Sequence, residues 1–242
     1  LVSFAFTYPY TYSMLQSDLD RITLAHSHLH ANTNTSAHAN TNTEQVSELH
    51  PLPPQDSPEA LYFHRELVTQ TIDGRRIDLL TLSSVEGISE EREPIIDGLF
   101  PGQDQSERVF IFPEKEIIFI SARVHPGEVP AQHTFKGLIE FLLDKEDVRA
   151  RELRRRYVFK MIPMLNPDGV YRGYMRMDTL GQNLNRFYID PHPHKQPSIF
   201  AAKQLLEYYS SQSRLIVYLD LHAHASKRGC FIYGNVMDNI DD

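Results

Sequence analysis

Three side chains in this sequence have the types and positions expected of metal ligands. His125 and Glu128 flank Pro126-Gly127, a pair that favours a tight turn, so an imidazole and a carboxylate three residues apart can point the same way. Histidine nitrogens and carboxylate oxygens are both zinc ligands. Because the chain contains 12 histidines, a His-x-x-Glu pair alone could equally be a surface turn, and a metal site needs a third ligand.

His222 supplies that third ligand. It follows directly after the apolar run 215–221, and His125 lies a short distance past the end of the apolar run 117–122. Open α/β sheets bind small molecules and ions beyond the carboxyl ends of their strands. The three side chains would therefore converge there if these two strands are neighbours. Three protein ligands leave zinc an open position, which is typical of a catalytic site. The sequence therefore predicts one zinc ion per chain.

The remaining histidines have simpler interpretations. His224 is an alternative third ligand, although it lies two residues beyond the strand. His133 is expected to pack on the helix after the turn, and His192 and His194 flank a proline in a loop. The tract at 26–30, His-Ser-His-Leu-His, could scavenge metal, but a low-complexity segment is a poor place to preorganise a site.

Basic side chains between the ligands could bind a substrate carboxylate. The segment 166–169, Asn-Pro-Asp-Gly, predicts a turn, and Arg172, Arg176 and the pair Asn185-Arg186 follow it. Arginine presents a rigid fork that binds carboxylates through two hydrogen bonds. An Asn-Arg pair near a metal is therefore typical of an exopeptidase, whereas without a metal these arginines would be ordinary solvated ion pairs.

Apolar runs that alternate with helical patterns must position these residues. Strands are predicted over 62–72, 76–82, 117–122, 157–163 and 215–221, and helices over roughly 130–143, 147–155 and 198–209. Asp73-Gly74 between the first two strands indicates a hairpin. Near-continuous apolar strands with helices between them predict an α/β fold, a mixed and mostly parallel sheet with helices on both faces.

Changes in composition divide the chain into three predicted parts. Residues 1–20 are rich in Phe and Tyr and are expected to be the end of an upstream β-rich domain, with its last strand followed by a short amphipathic helix as the connection. Residues 21–60 contain repeated Asn-Thr pairs and several prolines, which is typical of a disordered insertion. Residues 61–242 form the domain that carries the three ligands.

Charge and composition exclude some classes of protein. A formal net charge of −8 argues against nucleic acid as a partner, because phosphate neutralisation supplies most non-specific affinity for it. No run reaches the 18 or so apolar residues that a membrane span needs, so no membrane partner is expected. A single cysteine, Cys230, and the lack of a signal peptide favour a cytoplasmic location.

Together these segments resemble the M14 zinc metallocarboxypeptidases, and within them the cytosolic carboxypeptidases. The matching motifs are FAFTYPYTYS (4–13), YFHREL (62–67), DGRRIDLLTLSS (73–84), SARVHPGE (121–128), FKMIPMLNPDGVYRG (159–173), GQNLNRFY (181–188) and LDLHAHASKRGCFIYGN (219–235). Their order along the chain is highly specific. The resemblance makes residues 61–242 a partial zinc carboxypeptidase catalytic domain.

The resemblance implies a role for each candidate site residue. The zinc ligands are His125, Glu128 and His222. Asn185 and Arg186 hold the terminal carboxylate of the substrate, and Arg176 stabilises the oxyanion. Asn183 contacts the first zinc histidine, at a position where secreted relatives have an aspartate, and an amide is the weaker acceptor of the two.

The resemblance also implies a substrate and a missing base. The substrate is a glutamate chain added to tubulin, or glutamates at the end of a similar acidic tail, with an association with microtubules. The general base of the family is a glutamate far downstream of the last zinc ligand. The last glutamate here is Glu207, which precedes His222, so we predict a C-terminally truncated domain that is inactive by itself.

Two other functions fit the same residues. A zinc deacylase of the aspartoacylase kind shares the ligand pattern, although the segment 166–169 and its flanks disfavour it. A truncated isoform or pseudoenzyme could bind acidic tails without cleaving them. The arginine-rich segment 149–156 is better explained as a solvated helix face than as a docking surface for tubulin.

Overall fold

The computed structural model describes residues 7–26 and 60–234. Within these ranges the strands are β1 (Leu61–Gln70), β2 (Arg76–Ser84), β3 (Glu116–Ala122), β4 (Tyr157–Ile162) and β5 (Leu215–Leu221). The helices are α1 (Tyr12–His26), α2 (Val129–Leu143), α3 (Val148–Arg156), α4 (Pro167–Arg172) and α5 (Pro197–Ser211). The predicted strands and the three predicted helices are therefore present, with ends that shift by a few residues.

The strands form one mixed sheet in the order β1-β2-β4-β3-β5. β3 pairs in parallel with both β4 and β5, whereas β2 pairs antiparallel with β1 and with β4. The β1–β2 hairpin turns at Asp73-Gly74, where Gly74 has a φ of 77° that favours glycine. The predicted mixed α/β fold is confirmed, with β2 as the strand that runs against the other four.

Helices cover both faces of the sheet, as predicted. On one face α5 buries Ile199 and Leu205 in a cluster that includes Phe119 of β3. On the other face α1 and α2 contribute Leu19 and Phe135 to a second cluster. The middle strands therefore lie between two apolar layers, which explains why their sequences are nearly continuous apolar runs.

Two segments differ in detail from the predictions. Residues 12–26 form α1, which packs on β1 through Leu15 and Leu19, so the predicted boundary at residue 20 falls inside a helix. The rest of the predicted insertion, from residue 27 to 59, lies outside the described residues, as do the low-complexity histidines after His26. The Asn-Pro-Asp-Gly segment, predicted as a turn, begins helix α4, because the side chain of Asn166 caps it by accepting from the N–H of Gly169 at 2.9 Å.

The arginines of α3 are mostly on a solvated, ion-paired face. Arg149 pairs with Asp147 at 2.6 Å, and Arg155 pairs with Glu152 at 2.9 Å. Arg154 is the exception, because it is buried and donates to the carbonyl oxygens of Leu142 and Asp144 at the end of α2. One arginine of this run thus holds two helices together.

Lys115, just before β3, is a buried ammonium group surrounded by neutral oxygens. Its Nζ donates to Ser83 Oγ, to the carbonyl and hydroxyl oxygens of Ser84, and to the carbonyl of Arg154, at 2.9 to 3.1 Å. Burial lowers the pKa of Lys115 to about 8. The charged form is therefore less favourable in the folded protein than in the unfolded chain.

This burial predicts a stability change at alkaline pH. Between pH 8 and about 10.4, the ordinary lysine pKa, the unfolded chain holds a proton that the folded protein has lost, so the free energy of unfolding rises with pH. We expect a gain on the order of 1–2 kcal/mol relative to Lys115→Met, after allowance for solvent screening. Denaturant titrations across this range measure it, with exposed Lys145→Met as the control; parallel curves for wild type and Lys115→Met would contradict it.

β5 forms one edge of the sheet and carries exposed apolar side chains. Ile216 is 46%, Val217 37% and Leu219 40% exposed. An apolar edge strand is a template for pairing with another strand.

Among the described residues, no helix has both the length and the apolar character required to cross a bilayer.

Candidate metal centre

The loop that follows β3 is built around an arginine in an unusual backbone conformation. Arg123 has a φ of 59°, a left-handed value that costs a non-glycine residue on the order of 1 kcal/mol. Its buried guanidinium offsets this cost, since Nε donates to the carbonyl of Pro126 at 2.8 Å and Nη1 to the carbonyl of Tyr10 at 3.3 Å. Arg123 therefore turns the chain out of the sheet and fixes the first two candidate ligands.

Gly127 lets this loop approach a second loop closely. Its N–H donates to the carbonyl of Met175 at 2.8 Å, and the N–H of Glu128 donates to the carbonyl of His125 at 3.1 Å. A Cβ added to Gly127 would lie 2.7 Å from the carbonyl oxygen of Met175. The glycine is thus required by a backbone contact, and the resulting turn brings the side chains of His125 and Glu128 together, as the spacing predicts.

We expect Gly127→Ala to weaken zinc binding by about 10-fold or more, because the new methyl group pushes the ligand turn away from Met175. Zinc affinity measured by chelator competition tests this. Gly137→Ala is the matched control: a Cβ on this exposed glycine of α2 would have no atom within 4 Å, and alanine there is expected to stabilise the helix slightly. Equal zinc affinity in the two variants would contradict the expectation.

The pairing of β5 with β3 brings the third residue to the same edge of the sheet. The two strands are parallel and Ala122 is the partner of Leu221, so His222 emerges beside the turn. Nδ1 of His222 lies 3.0 Å from Oε2 of Glu128, and Nδ1 of His125 lies 2.8 Å from Oε1. One ligand atom from each of the three residues lies within 4.8 Å of the others.

This donor set fits a zinc ion. Two zinc ligands in a tetrahedral site are about 3.3 Å apart, close to the two carboxylate–imidazole distances. Among the described residues, Nδ1 of His125 is buried and has no hydrogen-bond partner of normal geometry, which leaves its lone pair available. His125, Glu128 and His222 could therefore hold the metal, and their assignment as its ligands stays a prediction.

Mutual contacts set the charges of the site. Burial raises the pKa of Glu128, but contacts with His125, His222 and the N–H of Ala223 outweigh it and hold this pKa well below its usual range. Hydrogen bonds to Asp220 and Glu128 raise the pKa of His222 to about 9. Glu128 is therefore an ionised carboxylate that lies between the rings of His125 and His222.

The structure also locates the other predicted site residues. Oδ1 of Asn183 lies 2.9 Å from Nε2 of His125 and accepts from the N–H of Asn185 at 3.2 Å. Arg186 ends the same short 3₁₀ turn and is exposed. Nη1 of Arg176 lies 3.8 Å from Oε1 of Glu128. The side-chain amide of Asn183 therefore links His125 to the predicted carboxylate-binding pair, Asn185 and Arg186.

Several other candidates lie elsewhere. Arg172 pairs with Asp73 at 2.8 Å, so it fits the ordinary ion-pair interpretation. Nδ1 of His224 accepts from the N–H of Ser226 at 3.2 Å, and its ring contacts Phe231, outside the group of three. His133 contacts the ring of Tyr10 from helix α2. His192 and His194 contact each other in their loop.

Asp220 and Ser121 are part of the site but were not predicted. Oδ2 of Asp220 lies 2.8 Å from Nε2 of His222, and Ser121 donates to Oδ1 of Asp220 at 2.6 Å. The Asp-x-His spacing could have indicated Asp220, because alternate residues of a strand point to the same face. No sequence pattern indicated Ser121, because its contact with Asp220 depends on the register between β3 and β5.

The fold is that of a zinc carboxypeptidase, and the chain has a His–Glu–His group at one edge of its sheet. The zinc carboxypeptidase family model matches residues 62–237, and the chain belongs to this family. The resemblance inferred from the motifs is therefore confirmed, as is the prediction of a metallopeptidase class.

Within the family, the chain is similar to the cytosolic carboxypeptidases. It is 52% identical over 158 residues to cytosolic carboxypeptidase-like protein 5 of Danio rerio, a match that covers 65% of this chain and 18% of that protein. It is 44% identical over 177 residues to cytosolic carboxypeptidase 6 of Caenorhabditis elegans, covering 72% of this chain and 34% of that protein. The chain thus spans about a fifth to a third of the length of these curated relatives.

Solved structures support the same fold. A metallo-carboxypeptidase from Pseudomonas aeruginosa superimposes with a TM-score of 0.56 at 21% identity, over 89% of this chain and 40% of the other. Carboxypeptidase A from Helicoverpa armigera gives a TM-score of 0.54 at 14% identity, over 92% of this chain and 47% of the other. At these identities the similarity establishes the fold alone.

Proposed function

We propose that this domain acts in protein deglutamylation, as the zinc-binding part of a carboxypeptidase that removes terminal or side-chain-linked glutamates from tubulin-like acidic tails. The observation that carries the proposal is the convergence of His125, Glu128 and His222 beside Arg176. The similarity to cytosolic carboxypeptidases supports the carboxypeptidase reaction and a cytoplasmic location. Association with polyglutamylated microtubules is part of the same proposal.

Each residue near the ligands has a distinct part in this function. A bound zinc ion would lower the pKa of a water molecule and polarise a carbonyl group. Arg186 and Asn185 would hold the terminal carboxylate, because a guanidinium binds it through two parallel hydrogen bonds. Arg176, 47% exposed beside Glu128, would stabilise the negative charge that develops on the carbonyl oxygen.

Recognition of an acidic tail by an acidic protein needs a local excess of positive charge. Arg176 lies beside Glu128, Arg186 ends the turn whose Asn183 contacts His125, and Lys227 lies in the loop after His222; these cations and a bound zinc ion would supply it. The net charge of −8 would otherwise repel a glutamate chain. The specificity of the proposed site thus depends on a few arginines.

The test compares a peptide that ends in several glutamates with the same peptide carrying a C-terminal amide. We expect zinc-loaded protein to bind the free acid at least about 10-fold more tightly, and Arg186→Ala to remove that preference. Arg156→Ala, which changes an arginine of α3 that is 58% exposed, is the charge-matched control. Equal affinity for acid and amide in the wild-type protein would overturn the proposed function.

A further inference from the structure

The second candidate histidine is contacted on both sides of its ring. Nδ1 of His222 faces Glu128, and Nε2 lies 2.8 Å from Oδ2 of Asp220. Asp220 and His222 are two residues apart at the end of β5, so their side chains point to the same side of the strand. The carboxylate therefore lies behind the imidazole as seen from the metal site.

Asp220 is itself held in place by the neighbouring strand. Ser121 of β3 is the register partner of Asp220 in the β3–β5 ladder, and its hydroxyl donates to Oδ1 at 2.6 Å. The hydroxyl of Tyr218 lies 2.8 Å from Ser121 Oγ and 3.1 Å from the hydroxyl of Tyr188. One carboxylate oxygen is thus fixed by the buried hydroxyl of Ser121, and the other is left for the histidine.

The two histidines of the site are oriented by different means. The side chain of His125 is only 3% exposed, so packing restricts its ring and the neutral amide of Asn183 is a sufficient acceptor. The side chain of His222 is 32% exposed, and packing restricts it less. A charged acceptor forms the stronger hydrogen bond, which compensates for this weaker packing.

We propose that Asp220, anchored by Ser121, is the positioning residue that keeps Nδ1 of His222 directed at the metal. The inference rests on the proposed function, since it assumes that His222 is a zinc ligand. A carboxylate at Nε2 holds the ring proton on that nitrogen and leaves the lone pair on Nδ1. It also makes the imidazole a stronger ligand.

The test measures the zinc affinity of the 242-residue protein by chelator competition. We expect Asp220→Ala to weaken it by about 10-fold to 100-fold, and Asp220→Asn, which keeps an acceptor oxygen, to weaken it less. Ser121→Ala should also reduce it, because Asp220 then loses its anchor. Exposed Asp190→Asn, with the same change in charge, should leave it unchanged.

A spectroscopic measurement separates positioning from general stability. In the zinc-loaded wild type, a ¹⁵N-edited spectrum should contain a slowly exchanging proton on Nε2 of His222, which Asp220→Ala removes. If Asp220→Ala binds zinc as tightly as the wild type while His222→Ala does not bind it, the positioning role is overturned and the proposed function stands. If the wild type fails to bind zinc, both are overturned.

Discussion

Replacing His125 by alanine is expected to abolish stoichiometric zinc binding, with a loss of affinity above about 100-fold, the upper limit for changes outside the ligands themselves. The reason is geometric, because Glu128 and His222 remain 3.0 Å apart but lose the buried imidazole that completes the set of three. Two ligands from partly exposed side chains hold zinc weakly.

Thermal unfolding with and without zinc measures the effect. A metal present at 100 times its dissociation constant stabilises the folded protein by about 2.7 kcal/mol, which raises the melting temperature of a chain of this size by about 5–10 °C. We expect this rise in the wild type and its loss in His125→Ala. The exposed histidine His194 provides the matched control, His194→Ala, which should keep the full rise.

Zinc bound elsewhere must be separated from zinc at this site. The histidines of the low-complexity tract could also bind zinc, so the comparison should be repeated with His28 and His30 replaced by alanine. A stoichiometry of one zinc per chain should survive those replacements. Retention of wild-type affinity by His125→Ala would contradict the proposed metal centre.

Replacing Lys160 by methionine is expected to destabilise the fold by about 3–5 kcal/mol, since it leaves buried negative charge uncompensated. Nζ of Lys160 is fully buried and lies 2.7 Å from Oε1 of Glu93. Arg108 pairs with Glu66 and lies 3.6 Å from Glu93, and Tyr209 donates to Glu93 at 2.9 Å. Two cations therefore balance two carboxylates between β1, β4, α5 and the loop that carries Glu93 and Arg108.

Free energies of unfolding from denaturant titration measure this loss. Exposed Lys145→Met should change stability by less than about 0.5 kcal/mol, as surface substitutions usually do. The double variant Lys160→Met with Glu93→Gln should recover a large part of the loss, because it removes the carboxylate charge together with the ammonium. If the two changes were simply additive, the effect would be one of side-chain packing and the electrostatic explanation would be wrong.

Much of the fold could be predicted from the sequence because the local signals agree with one another. The Asp73-Gly74 turn, the near-continuous apolar runs of β3 and β5, and the helical pattern after Gly127 each indicate one structure, and the molecule contains them. Helix α4 was not predicted because asparagine is typical both of turns and of helix caps. The hydrogen bond from the N–H of Gly169 to the side chain of Asn166 is compatible with either structure.

The candidate ligands could also be predicted from local sequence patterns, whereas the residues that hold them in place could not. His125, Glu128 and His222 are chemically distinctive and lie at the ends of apolar runs, where α/β proteins bind ligands. The contacts that hold them depend on residues far apart in sequence: Arg123 reaches Tyr10, Gly127 meets Met175, and Ser121 meets Asp220. No local pattern encodes such pairs.

By itself, therefore, the sequence determined the class of fold and His125 and Glu128 as two of the residues proposed to bind zinc, because these follow from residue type and local spacing. Its ordered motifs indicated the family, and it left His222 and His224 as alternatives for the third residue. Tertiary structure alone decided which strands are neighbours, and hence that His222 rather than His224 joins the other two residues. It also decided that Lys160 and Arg108 are buried among carboxylates and that Asp220 lies behind His222. The physical reason is that strand order and register bring distant residues into contact, whereas propensity and periodicity act only along the chain.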